Sequence, residues 1–172
     1  MEWMDIYDEE RQKTGRVMER SDTPAPGDCR TVVHVCVFNA AGQLLIQRRS
    51  AQKFTYPLRW DVTAAGAVDA GETPRQAAER ELREEMGIAV DLSRVRPVMT
   101  VNFPNGFDDM FAVERELDPK ELTLQTEEVC EAKWVTLAEA ERMVRTKEFC
   151  PYPPGLLTVV YSLRRGEGFT DN

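Results

Sequence analysis

Apolar and polar residues alternate at both ends of the first twenty positions. Trp3 to Asp8 and Gly15 to Glu19 therefore predict the two strands of an N-terminal β-hairpin within residues 1–20. Ser21 to Asp28 carries two prolines and a glycine and predicts a connecting loop. Thr31 to Asn39 is dense in β-branched residues, the strongest strand signal in the chain, and Ala40 to Gln43 turns it into a second strand, Leu44 to Arg49. A loop from Ser50 to Arg59 precedes an extended stretch, Trp60 to Ala65. Val98 to Phe103 and Met110 to Leu117 predict paired strands around Pro104 to Phe107, and Ala132 to Val135 a short further strand.

The period changes to helical after Thr73. Thr73 is a natural N-cap, Pro74 suits the first helical position, Gln76 completes a capping box, and Gly87 ends the helix. Thr136 with Glu139 starts a second helix running to about Lys147. Pro154 to Arg164, with Leu156, Leu157, Val160 and Leu163 on one stripe, predicts a third. Strands interrupted by helices, without an alternating βα repeat, predict an α+β fold with mixed pairing. At 172 residues the expectation is one domain spanning 1–172.

Charge narrows the function. Thirty acids against 22 basic residues give a formal net charge of −8. A polymer of phosphates needs a basic footprint, so a nucleic-acid polymer is excluded as the expected partner. No apolar run reaches the ~18–20 residues that span a bilayer, and the start lacks the pattern of a signal peptide. Cys29, Cys36, Cys130 and Cys150 form no C-x-x-C pair, which suits reduced thiols and a cytoplasmic location. His34 is the single histidine; a packed or edge role is expected, since a His-based metal site needs a second.

The candidate chemistry lies on the capped helix. Glu81, Glu84 and Glu85 stand at i, i+3 and i+4 and share a face, while Ala78, Leu82 and Met86 occupy an adjacent face that can pack on a sheet. Like charges at this spacing repel, and burial would raise at least one pKa. An ordinary acidic helix is laced with Glu–Lys pairs. Here the acids cluster, and Arg75, Arg80 and Arg83 fall on other sides. A divalent cation removes the conflict, and oxygen-only ligands favour Mg²⁺ or Mn²⁺. Glu72 adds a fourth acid before the helix, Arg80 can orient one of the glutamates, and Gly66 permits close backbone approach. Arg48, Arg49 and Lys53 form a small basic group suited to gripping phosphate. Phe54, Tyr56, Trp60, Phe103 and Phe107 are candidates for stacking on a base or lining a pocket, core packing being the usual role of any one of them.

From Gly66 to Ile88 the sequence resembles the Nudix box, G-x5-E-x7-R-E-U-x-E-E-x-G-U with U aliphatic. Gly66, Glu72, Arg80, Glu81, Leu82, Glu84, Glu85, Gly87 and Ile88 fill every defined position. The resemblance implies an α/β/α sandwich around a mixed β-sheet, with the box as a loop–helix–loop over 66–88. It implies hydrolysis of a small-molecule diphosphate linked to another group, with Glu84 and Glu85 as principal metal ligands. Glu81 would be a further ligand or the base, Glu72 a support and Arg80 an orienting residue. The carbonyl at Ala65 or Gly66 would complete the shell. An acid outside the box is also implied: Glu128, with Glu131 as the alternative.

The run Phe38 to Arg49, followed by Pro57 and Trp60, and the Asp5 to Asp8 hairpin resemble the isopentenyl-diphosphate-isomerase-like branch. Isomerases of that branch carry a cysteine before the box glycine and a histidine after it, where this chain has Ala65 and Ala67. The resemblance therefore implies a hydrolase on an isomerase-like scaffold. The expected substrates are nucleoside di- or triphosphates or their derivatives, with a prenyl diphosphate or a non-catalytic nucleotide sensor as alternatives. Specificity is expected in the loops near Ser50 to Arg59 and Asn102 to Asp109, and the expected assembly is a monomer or homodimer.

Overall fold

The computed structural model describes residues 2–165, so Met1 and 166–172 of the expected 1–172 span lie outside it. The expected hairpin forms, its second strand starting two residues early: β1 (Trp3–Tyr7) pairs antiparallel with β2 (Lys13–Glu19) as a separate two-stranded sheet. Its apolar face, Met4, Ile6 and Met18, closes over Ala67 of the main sheet.

The main sheet centres on β3 (Arg30–Phe38), buried along most of its length. β3 runs parallel to β8 (Gly106–Glu114), which pairs antiparallel with the outer strand β7 (Met99–Phe103). On its other side β3 meets β4 (Leu44–Arg49) over only two residue pairs, Val37 with Leu45 and Phe38 with Leu44. Beyond them the two strands part. The stretch read as one extended segment is split here: β5 (Trp60–Asp61) pairs with β4, and β6 (Ala64–Ala67) pairs with β3. Thr63 stands at the fork. Its hydroxyl donates to the Leu45 carbonyl at 2.6 Å and accepts from the Val37 N–H at 2.9 Å. It supplies the polar contacts that the separating strands no longer give each other. β9 (Val129–Val135) covers the outer side of β4 with a register shift at Arg48/Arg49, and begins three residues earlier than expected.

Two apolar layers enclose the sheet. α1 (Pro74–Met86) buries Ala77, Ala78, Leu82 and Met86 against Val33, Val35, Val37, Leu45 and Phe111. On the opposite face α2 (Leu137–Arg145) and α3 (Leu156–Leu163) cover Cys36, Phe38, Leu44, Ile46, Met110 and Ala112. This is the expected α/β/α sandwich around a mixed sheet. Both capping boxes form, at Thr73 with Gln76 and at Thr136 with Glu139, and Gly87 takes the left-handed conformation at φ 68°. α3 starts later than expected, after Gly155, and a 3-10 turn at Pro119–Glu121 was not foreseen.

The clearest correction concerns 102–109. The expected specificity loop is a tight hairpin: β7 and β8 are joined through Pro104 and Asn105, and β8 begins at Gly106 rather than Met110. Asp108 and Asp109 read as loop residues, yet both are buried in the strand. Each has a partner that sequence spacing does not reveal. Asp108 lies 2.7 Å from His34 Nδ1, and Asp109 accepts from Thr100 at 2.6 Å and from Arg11 of the hairpin turn. His34 is thus a paired, largely buried side chain, as expected. All four cysteines are free, with only Cys130 exposed.

Candidate active site

The fork between β3 and β4 leaves a gap, and the last turns of α1 lie over it. Glu85 is 4% exposed. Its Oε2 accepts from Gln47 Nε2 of β4 at 2.8 Å and from the Ala65 N–H of β6 at 3.2 Å, so this carboxylate ties the helix to both arms of the fork. Its Oε1 accepts no hydrogen bond among the described residues. Burial, and then the charge of Glu81, raise the Glu85 pKa from 4.5 to about 7, against the lowering effect of its two donors.

Glu81 lies a turn earlier and is also buried. Its carboxylate rests directly on the Cα of Gly66, where any Cβ would overlap it. The glycine is therefore demanded by the approach of this side chain. Burial raises the Glu81 pKa, and Arg80 opposes the rise.

Arg80 is the hub of the loop–helix junction. Its Nε and Nη2 bind the two oxygens of Glu72 at 3.1 and 2.9 Å, Nη2 also donates to the Ala67 carbonyl at 2.9 Å, and Nη1 donates to Glu81 Oε1 at 2.6 Å. A planar fork meeting a carboxylate edge-on fixes both groups. Glu84, by contrast, is exposed and meets Arg80 only at 3.5 Å.

Loops from three places converge beside Glu85. The Gln125 N–H donates to the Glu85 carbonyl, and Ser50 binds the carbonyls of Glu127 and Glu128 through its hydroxyl and N–H. This brings Lys53 into an ion pair with Glu128. Both residues were expected at the site, but they engage each other. Arg48 lies 3.5 Å from Glu131, the alternative acid. Arg49 binds the Thr55 carbonyl and reaches buried Asp61 at 3.3 Å, so much of its hydrogen-bonding capacity is used within the fold. Phe103 is not brought to the carboxylates. It lies on the outermost strand, separated from β3 by β8, with its ring against Gly106. Among the other aromatics, Trp60 and Phe107 are buried, Tyr56 is partly exposed and Phe54 fully exposed.

Among the described residues no three acidic, histidine or cysteine side chains are drawn together tightly enough to hold a metal as they stand. Arg80 holds Glu81, and Glu84 points outward. The donor set nevertheless suits a hard divalent cation. It consists of carboxylate oxygens, one of them the unengaged Oε1 of a buried glutamate beside a second buried carboxylate. Sequence reasoning missed Gln47, which holds Glu85. Its signal was a polar residue two positions from Leu45, on the core-facing side of a strand.

The NUDIX domain family model matches residues 28–152. An uncharacterised Nudix hydrolase of Listeria monocytogenes is 45% identical over 152 residues, covering 88% of this chain and 90% of the relative. An isopentenyl-diphosphate Delta-isomerase of Streptomyces griseus is 29% identical over 170 residues, covering 94% and 83%. A Deinococcus radiodurans protein of known structure superposes with a TM-score of 0.75 at 24% identity, covering 94% of this chain and 98% of that one, and shares the fold. Sandwich, forked sheet and acidic helix define a hydrolase of the Nudix class. The chain belongs to the Nudix hydrolase family.

Proposed function

We propose that the protein is a Mg²⁺-dependent pyrophosphohydrolase acting on nucleoside di- or triphosphates or their derivatives. The observation that carries this reading is the pair of buried carboxylates, Glu81 and Glu85, at the fork of the sheet, with Glu84 beside them. Two buried acids whose pKa values are raised are destabilising unless a cation joins them. Glu81, Glu84 and Glu85 would hold Mg²⁺, or Mn²⁺, with the Gly66 carbonyl and Glu128 completing the shell. When bound, the ion neutralises phosphate oxygens and lowers the pKa of the attacking water.

The chain's own residues do the rest. Gln47 and the Ala65 N–H fix the Glu85 carboxylate, so only one of its oxygens is left to act. Arg80 holds Glu72 and Glu81 and fixes the 66–72 loop against the helix. Glu81 serves either as a ligand or as the base that takes the water's proton. Arg48, paired with Glu131, and Lys53, paired with Glu128, would take phosphate oxygens by exchanging those acids for substrate.

The isomerase relative supports a second reading, hydrolysis of a prenyl diphosphate on this scaffold. Isomerisation is not proposed. Ala65 and Ala67 stand at the isomerase acid and metal positions, and Ala67 is buried under the hairpin. A panel of nucleotides, nucleotide derivatives and prenyl diphosphates, assayed with Mg²⁺ for released phosphate and pyrophosphate, decides between them. Turnover of nucleotides supports the first reading, and turnover of prenyl diphosphates alone replaces it with the second. Nucleotide binding without cleavage would make the protein a sensor.

A further inference from the structure

At the other end of α1 lies a cleft of about 1170 Å³, between the first turn of the helix, the 90–98 segment, strands β7 and β8, and the end of α3. Arg75 and Glu85 are ten residues apart on one helix, which puts the cleft roughly 15 Å from the carboxylates. Its lining carries seven arginines against three acids, in a chain whose net charge is −8. Arg94, Arg96 and Arg115 make no side-chain hydrogen bond or ion pair among the described residues, and all three are exposed. Arg75 uses only its Nε, which donates to the Val95 carbonyl at 2.6 Å and leaves both Nη groups unengaged. Arg164 Nε is buried without a hydrogen bond, 3.4 Å from Glu114 but out of bonding geometry.

The helix adds to this field. α1 is 13 residues long, its positive end opens into the cleft, and the backbone N–H of Arg75 has no partner among the described residues. Unengaged guanidinium forks, an unpaired helix N–H and a local excess of positive charge on an acidic protein are together complementary to a multiply charged oxyanion.

We propose that this cleft is a second binding site, for a polyphosphate-bearing small molecule, separate from the carboxylate site. Arg94, Arg96 and Arg115 form its grip, and the start of α1 its floor.

The test is calorimetric titration of the full chain with inorganic tripolyphosphate in EDTA, where the metal-free carboxylate site repels anions. The proposal expects saturable binding that weakens with added salt. It expects Arg94→Ala/Arg96→Ala to lose roughly ten- to hundredfold in affinity, and Glu85→Gln to lose none. Because Arg94 and Arg96 are exposed and unpaired, the double variant should melt with the wild type, and the charge reversal Arg94→Glu should weaken binding further. Absence of binding to the wild type, or equal binding by the double variant, overturns the proposal. So does binding of polyglutamate that tripolyphosphate fails to displace. That outcome would reassign the cleft to an acidic peptide lying along the edge of β8 beyond the start of β7.

Discussion

At the residue scale the site turns on one buried carboxylate. Glu85 ionises near pH 4.5 in the unfolded chain and near 7 in the metal-free fold. Below 4.5 it is protonated in both states and contributes nothing to pH dependence. As pH rises from 4.5 through 7, only the unfolded chain gives up the proton readily, so stability falls, on the order of 3 kcal/mol by pH 8. Glu85→Gln should therefore raise the metal-free melting temperature at pH 8 and leave it nearly unchanged at pH 4.5, as thermal denaturation in EDTA would show. A residue kept for stability would behave oppositely at pH 8. Gly66→Ala tests its neighbour. The added methyl group would displace the Glu81 carboxylate and cost about 1–3 kcal/mol of stability through overpacking. Hydrolysis should fall on the order of a hundredfold, because a small misplacement of a catalytic group is expensive. Wild-type turnover by a folded Gly66→Ala protein would remove Glu81 from the mechanism.

At the scale of elements, the fork between β3 and β4 creates the site, and Thr63 holds it. Thr63→Val preserves shape but leaves the buried Val37 N–H without its acceptor, a loss of about 1–3 kcal/mol measurable by urea denaturation. An unchanged midpoint would show that backbone relaxation repairs the fork. α1 was legible because its signals are local: Thr73, Pro74, Gln76 and Gly87 all act within a turn of their own positions. Glu81 and Glu85 were legible as neighbours for the same reason, since i,i+4 spacing stacks them on one face, whereas the outward turn of Glu84 was not. The fork was not legible. Trp60 to Ala67 changes partners midway, and pairing is a tertiary choice that period-2 patterning does not encode. The start of β8 was hidden because Asp108 and Asp109 look like loop residues until His34, Thr100 and Arg11 arrive from elsewhere in the chain. The basic group was legible as charge but not as geometry. Nothing in the sequence pairs Arg49 with Asp61, or Lys53 with Glu128.

At the scale of the whole molecule, the net charge of −8 resolves into unlike regions. Three acids of the box, Glu72, Glu81 and Glu84, gather around Arg80 with buried Glu85 a turn beyond Glu81, while seven arginines line a cleft at the opposite end of the same helix. The acidic end should take up divalent cations with a gain in stability. Mg²⁺ at a hundred times its dissociation constant would add about 2.7 kcal/mol. Thermal scans with Mg²⁺ should show that gain in the wild type and a smaller one in Glu85→Gln. An equal gain in both would move the cation away from Glu85. The proposed hydrolysis depends on a divalent cation held by these carboxylates. The most direct test of that dependence is the rate of phosphate and pyrophosphate release from a nucleotide panel as Mg²⁺ is titrated, for the wild type and for folded Glu85→Gln. The expected result is a rate that rises with Mg²⁺ to saturation in the wild type, is lost in EDTA, and falls at least on the order of a hundredfold in the variant. Undiminished turnover in EDTA, or wild-type rates from Glu85→Gln, would contradict it.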